Sequence, residues 1–127
     1  DIARLFGLEV DFPCAHDPGL QLSRLFGMMH DKEDANRPIR KSFLIDPGMH
    51  VAMLFEYPTY LGRNFEELLR VARAMQMRAT TGVATPADWQ GGDMVIIPDN
   101  RSEQEVIRQF GTASELLLPY LRVAGAT

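Results

Sequence analysis

Apolar residues at Ile2, Leu5 and Phe6 fall at helical spacing and then meet Gly7, which predicts a short opening helix. That helix has no room for a cap or a first turn before it, so the chain is expected to begin inside a larger fold. Residues 8–12 alternate apolar and acidic side chains, the pattern of a short strand edged by Pro13. Asp17-Pro18 predicts a helix start, with Leu20, Leu22, Leu25 and Phe26 following and Gly27 as its stop. Residues 30–38 are too polar to bury and read as a surface loop. Two apolar runs, 39–46 and 50–57, flank Asp46-Pro47-Gly48-Met49 and predict a hairpin. Both runs are almost continuously apolar, so the sheet is expected to be covered on both faces by helices.

The strongest helical signal spans residues 64–77. Asn64 stands as cap, Glu67 follows three residues on, and Phe65, Leu68, Leu69, Ala72 and Met75 make one apolar face. After Thr80 comes a turn-rich connector, then a short strand over 94–97 stopped by Pro98. Ser102 with Glu105 repeats the cap-and-reach signature ahead of Val106, Ile107 and Phe110. Residues 116–122 form an apolar, extended tail too small to have its own core. It is expected to pack on the main body or on a second subunit.

Composition narrows the functional classes. The 127 residues are 46% hydrophobic and 24% charged, enough apolar material for a packed domain without metal or disulfide support. The net charge of −4 argues against a general nucleic-acid binder. No apolar stretch is long enough to span a bilayer and no signal peptide opens the chain, so a reducing, cytoplasmic setting is the default expectation. A single cysteine, Cys14, excludes an internal disulfide.

Cys14 lies two residues from His16, which could in principle activate it, but nothing in the sequence orients the pair, and a buried, inert thiol is expected. His16, His30 and His50 lie in separate segments without metal-ligand spacing and read as solvated loop residues. Gly91-Gly92-Asp93 precedes a strand and lacks a Gly-Lys-Ser/Thr ending, so it is a turn and not a phosphate loop. No Gly-x-Ser-x-Gly elbow is present. Two arginines stand out. Arg40 opens an otherwise apolar strand, and Arg63 immediately precedes the cap of the strongest helix. Each alone reads as a surface ion pair; together they would suit an anion or a developing negative charge.

The order and spacing of several short motifs carry a family resemblance. Arg40-x-x-Phe43-Leu-Ile-Asp46-Pro47 is followed by Tyr57-Pro58-x-x-x-Gly62-Arg63-Asn64-Phe65-x-Glu67-Leu-Leu-Arg70. Then come Val83-Ala-Thr-Pro-Ala-Asp-Trp89, Gly92-Asp93-x-Val95-Ile-Ile-Pro98 and Tyr120-Leu-Arg122. With Phe12-Pro13 and Gly27-Met-x-His30 they cover nearly the whole chain, which resembles the later part of the 1-Cys peroxiredoxins. The resemblance implies an α/β chain. Residues 1–80 would be the later part of a thioredoxin-like domain, a mixed sheet with flanking helices, and residues 81–127 a small α+β dimerisation domain.

Members of that class reduce hydroperoxides with a cysteine in a Pro-x-x-x-Thr-x-x-Cys context, which this chain lacks. Cys14 does not match it. The resemblance gives Arg40 the place of the arginine facing the thiolate and Arg63 that of the second active-site arginine. It further implies a hydroperoxide substrate, an external thiol reductant, no bound cofactor and a homodimer, with the chain alone inactive. A non-catalytic dimerisation or scaffold module of the same descent is the alternative.

Overall fold

The computed structural model describes residues 2–125, and the packing divides the chain into two compact units, Asp1–Arg63 and Asn64–Thr127. The secondary structure is α/β, and among the described residues both sheets are antiparallel.

In the first unit, α1 (Ile2–Phe6) ends where Gly7, at φ 64°, donates its N–H to Ala3 O. The strand expected over 8–12 does not form: the segment is irregular and exposed. Among the described residues its alternation meets no neighbouring strand to complete a ladder, and an isolated extended segment keeps its backbone groups in water. Helix α2 (Gln21–Leu25) starts later than Asp17-Pro18 suggests, because Leu20 takes a left-handed φ of 55°. Asp17 nevertheless governs the helix start. Its carboxylate accepts from the backbone N–H of Ser23 at 2.9 Å, from the Ser23 hydroxyl at 2.8 Å and from the Leu22 N–H at 3.2 Å. These bonds, that from the Ser23 N–H foremost, hold the Asp17 carboxyl below its ordinary range.

The hairpin is as the sequence predicts. Strands β1 (Arg40–Ile45) and β2 (Val51–Tyr57) pair from Arg40 opposite Tyr57 to Ile45 opposite Val51. Asp46 builds the turn, its carboxylate accepting from His50 N–H at 2.9 Å, and Met49 takes the left-handed position at φ 64°. The cover expected on both faces is a different matter. Ile45, Val51, Met53 and Leu54 are exposed, and Ile39 is the only buried apolar residue described in this unit. The two short helices are too small to blanket a seven-residue strand, so an apolar run does not by itself bring its cover with it.

The second unit carries the core. Helix α3 (Phe65–Thr81) begins with Asn64 accepting from Glu67 N–H, and runs a turn beyond the predicted end to Gly82. The face expected to be buried is covered only in part, with Leu68, Ala72 and Met75 half-buried. Phe65 and Leu69 are exposed, while Ala74 and Met77 touch the core of Val83, Trp89, Val95, Ile97, Val106, Phe110 and Ala124. That core fills the space between α4 (Glu103–Phe110) and the sheet of β3 (Val95–Ile97), β5 (Leu121–Ala124) and β4 (Ser114–Leu118), in the order β3-β5-β4. Ser102 and Glu105 close a full capping box on α4. The extended tail is thus a second hairpin turning at Pro119-Tyr120, with Leu116, Leu117, Leu118 and Tyr120 exposed. Among the described residues no helix is long and apolar enough to cross a membrane.

Candidate functional site

Arg40 and Arg63 both line one hollow of about 390 Å³ in the first unit. Met28, Arg37, Pro38, Ile39, Lys41 and Thr59 complete it, so among the described residues four cations and no carboxylate form its wall. Local bonding explains how the chain builds this wall. Ile39 is buried and donates its N–H to Met28 O at 2.8 Å, pinning both ends of the 30–38 loop just before β1. Arg40 is then the first residue of β1, opposite the last residue of β2. Pro58 accepts from Leu61 N–H at 3.1 Å, turning the chain from β2 back toward Arg63.

The cations are held differently. Arg40 donates Nε to the Thr59 carbonyl at 3.0 Å, and among the described residues no carboxylate pairs with it. Lys41, its side chain only 12% exposed, meets Glu56 at 2.9 Å on the neighbouring strand. Arg37 lies 3.6 Å from Asp34 in an exposed pair, which water and salt screen heavily. With Arg40 facing no carboxylate among the described residues, the hollow suits an anion or a group that becomes anionic.

A second hollow, of about 270 Å³, is lined by His30, Glu33, Ile39, Glu56, Tyr57 and Pro58, and shares Ile39 with the cationic one. It holds carboxylates where the first holds cations. Thr59 connects the two: its hydroxyl donates to Glu33 Oε2 at 2.7 Å while its carbonyl receives Arg40.

Cys14 is exposed, not buried as expected, and its thiol lies 3.8 Å from Phe12 O. The expectation followed the general burial of free cysteine, but the segment around Cys14 pairs with nothing that would cover it. Cys14 is not among the residues lining the cationic hollow. His16, His30 and His50 are all exposed, and among the described residues no group of three potential ligands could hold a metal. Arg70, conspicuous in the sequence beside Glu67, forms a two-bond pair with it at 2.5 and 2.8 Å. That pairing lowers the Glu67 carboxyl and raises the Arg70 guanidinium from their ordinary values.

Sequence reasoning singled out Arg40 and Arg63 but passed over Arg37, Lys41, Thr59 and Glu33. Cations at 37, 40 and 41 in one short stretch were a readable signal for two of these. Thr59 and Glu33, 26 positions apart, gave none.

The family model described as the C-terminal domain of 1-Cys peroxiredoxin matches residues 74–113. A peroxiredoxin of Methanosarcina mazei is 36% identical over 108 residues, 85% of this chain and 49% of the relative. Peroxiredoxin-6 of Mus musculus is 37% identical over 106 residues, covering 80% and 47%. The chain thus spans about half the length of the curated relatives it matches. Among solved structures, a yeast mitochondrial 1-Cys peroxiredoxin superposes with a TM-score of 0.86 at 32% identity, over 98% of this chain and 62% of that one. A mutant of Peroxiredoxin 6 from Arenicola marina gives 0.84 at 32% identity, over 99% and 62%.

Proposed function

The chain belongs to the peroxiredoxins, corresponding to the carboxy-terminal part of a 1-Cys member, and on that premise we propose that it supplies the arginine side of a thiol peroxidase site. In the complete protein a cysteine thiolate attacks one oxygen of hydrogen peroxide or an organic hydroperoxide. An S–O bond forms as the O–O bond breaks, the sulfur becomes a sulfenic acid, and the departing oxygen takes up a proton to leave as water or an alcohol. An external thiol then reduces the sulfenic acid through a disulfide, and no prosthetic group takes part. Arg40 and Arg63 favour the thiolate over the thiol and stabilise the charge moving onto the peroxide oxygens.

The observation carrying this reading is that Arg40 and Arg63 share one hollow, with no carboxylate among the described residues of its wall. The thiolate comes from outside that wall, since Cys14 does not line it. The exposed Leu116, Leu117, Leu118 and Tyr120 of the second hairpin suit the homodimer that the resemblance implies.

The test is peroxide consumption with dithiothreitol, for this chain alone and for this chain joined to the amino-terminal half of the Methanosarcina relative. The chain alone is expected to show no turnover that depends on Cys14. The joined protein is expected to turn over, and to lose about 100-fold in rate with Arg40→Met or Arg63→Met, the size of effect typical for one charge-stabilising donor. Turnover by the chain alone that vanishes in Cys14→Ser, or arginine variants of the joined protein with full rate, would refute the proposal.

A further inference from the structure

We propose that Thr59 and Glu33 form a clasp that aims Arg40 into the cationic hollow, making both of them positioning residues. The inference rests on the anion-stabilising reading given above for Arg40.

An arginine at the mouth of an open hollow has rotamer entropy to lose before it can present a fixed edge to an anion. One bond does that here. Donation from Nε to Thr59 O restrains the plane of the guanidinium and leaves its two terminal nitrogens as the donors that Arg40 can offer to the hollow it lines. The direction of that carbonyl therefore sets the direction of Arg40. Thr59 follows the end of β2, where no ladder partner holds its backbone. Its hydroxyl supplies the restraint, donating at 2.7 Å to Glu33 Oε2, a short bond to a charged acceptor. Glu33 is itself held in the loop by its N–H on His30 O at 3.0 Å. It lines the neighbouring hollow and not the cationic one, so its bonded influence on Arg40 passes through Thr59.

This arrangement gives the clasp a signature opposite in sign to simple electrostatics. A carboxylate near a cationic hollow weakens anion binding through space, so removing Glu33 should strengthen it. If Glu33 acts through Thr59, removing it frees Arg40 and binding weakens instead.

The experiment uses the full 127-residue chain, labelled with 15N, with inorganic sulfate titrated at low ionic strength while the arginine Nε–H signals are followed. The Arg40 signal is assigned by its loss in Arg40→Lys, and that of Arg63 by Arg63→Lys. Glu33→Ala and Thr59→Val are expected to bind sulfate about fivefold more weakly and to shift or broaden the Arg40 Nε–H line. Thr59→Ser, which keeps the hydroxyl, is expected to hold the parent affinity and line, and Glu33→Gln, which keeps an acceptor but loses the charge, is expected to keep the parent line and to bind sulfate at least as tightly as the parent. Melting temperatures of all four verify that each variant is folded. Unchanged or tighter sulfate binding in Glu33→Ala, with an unmoved Arg40 line, overturns the clasp. If sulfate moves neither the Arg40 nor the Arg63 signal in the parent, the anion reading itself fails. The Arg40 line compared between parent and Thr59→Val without sulfate still decides the clasp in that case.

Discussion

Gly82 offers the sharpest test of how the second unit is held together. It ends α3 at φ 70°, donating its N–H to Arg78 O at 2.8 Å and accepting from Arg78 Nη1 at 2.6 Å. Arg101, just before α4, reaches across to the same helix end, donating Nη2 to Thr81 O at 2.6 Å and Nη1 to Gln109. Gln109 Nε2 also donates to Thr81 O, at 3.1 Å. A Cβ on Gly82 would fall on Arg101 Nη2. Gly82→Ala therefore carries two costs. The left-handed backbone costs an alanine about 1 kcal/mol. Displacing the guanidinium forfeits a charge-assisted bond worth about 1.5 kcal/mol, the low end of the usual range because the site is partly exposed.

The sum, about 2.5 kcal/mol, divided by a urea dependence of about 1.5 kcal/mol per molar, moves the unfolding midpoint down by roughly 1.7 M. Trp89, buried in this core at 3% exposure, reports the transition by fluorescence. Gly82→Asn separates the terms, since asparagine tolerates the left-handed region but still brings a Cβ, and it should lose about 1.5 kcal/mol. Arg101→Ala should lose a similar amount. The double variant Gly82→Ala with Arg101→Ala should lose about 2.5 and not 4 kcal/mol, because the collision no longer has a partner. An additive double variant, or a Gly82→Ala loss below about 0.5 kcal/mol, would show that Arg101 is not what the glycine accommodates.

Acid should destabilise the fold over a definite range. Asp17, Glu67 and Glu105 are all held below their ordinary values, chiefly by hydrogen bonds from Ser23, Arg70 and Ser102 respectively. Because the folded values lie below the unfolded ones, their contribution is complete above about pH 5 and drains away as pH falls through about 4 toward the folded values. Melting temperatures between pH 3 and 7 should show that decline, and a flat profile would contradict it. Ser102→Ala opens the capping box and should cost about 1 kcal/mol in urea unfolding while returning Glu105 toward its ordinary value, so that the acid slope becomes shallower. Val106→Ala removes two methyl groups from a side chain that is 1% exposed and should cost about 2 kcal/mol, measured the same way.

What the sequence disclosed was governed by how local the cause was. The hairpin, the Asn64 and Ser102 caps and the Gly7 stop each depend on a few adjacent residues, and each is where the pattern places it. Arg40 and Arg63 were identifiable because their motifs are compact. What depended on distant partners was missed or misread. The strand over 8–12 has the right alternation but no neighbour to pair with. The face of α3 was read from its own stripe, Phe65 to Met75, although the core that meets it at Ala74 and Met77 comes from segments beyond Gly82. Cys14 was assigned to the interior on residue type alone. Thr59 and Glu33 carry no motif, and only the folded loop brings them together.

The two units also differ in what fixes their geometry, and this bears on the site. The second unit surrounds a cluster of buried apolar residues that includes Val83, Trp89, Val95 and Val106, so its shape follows from packing. The first has Ile39 alone among its described apolar residues buried, and its hairpin is half-buried at most, with Phe43, Leu44 and Phe55 partly covered. Its cationic hollow is consequently fixed by directional bonds: Ile39 to Met28, Arg40 to Thr59, Thr59 to Glu33, Lys41 to Glu56. Each such bond in partly wet surroundings contributes on the order of 1 kcal/mol, little enough for one substitution to release a guanidinium without unfolding the hairpin that carries it. Arg40 therefore owes its place to the β1–β2 ladder and its direction to a side-chain hydroxyl, so the two can be separated by mutation.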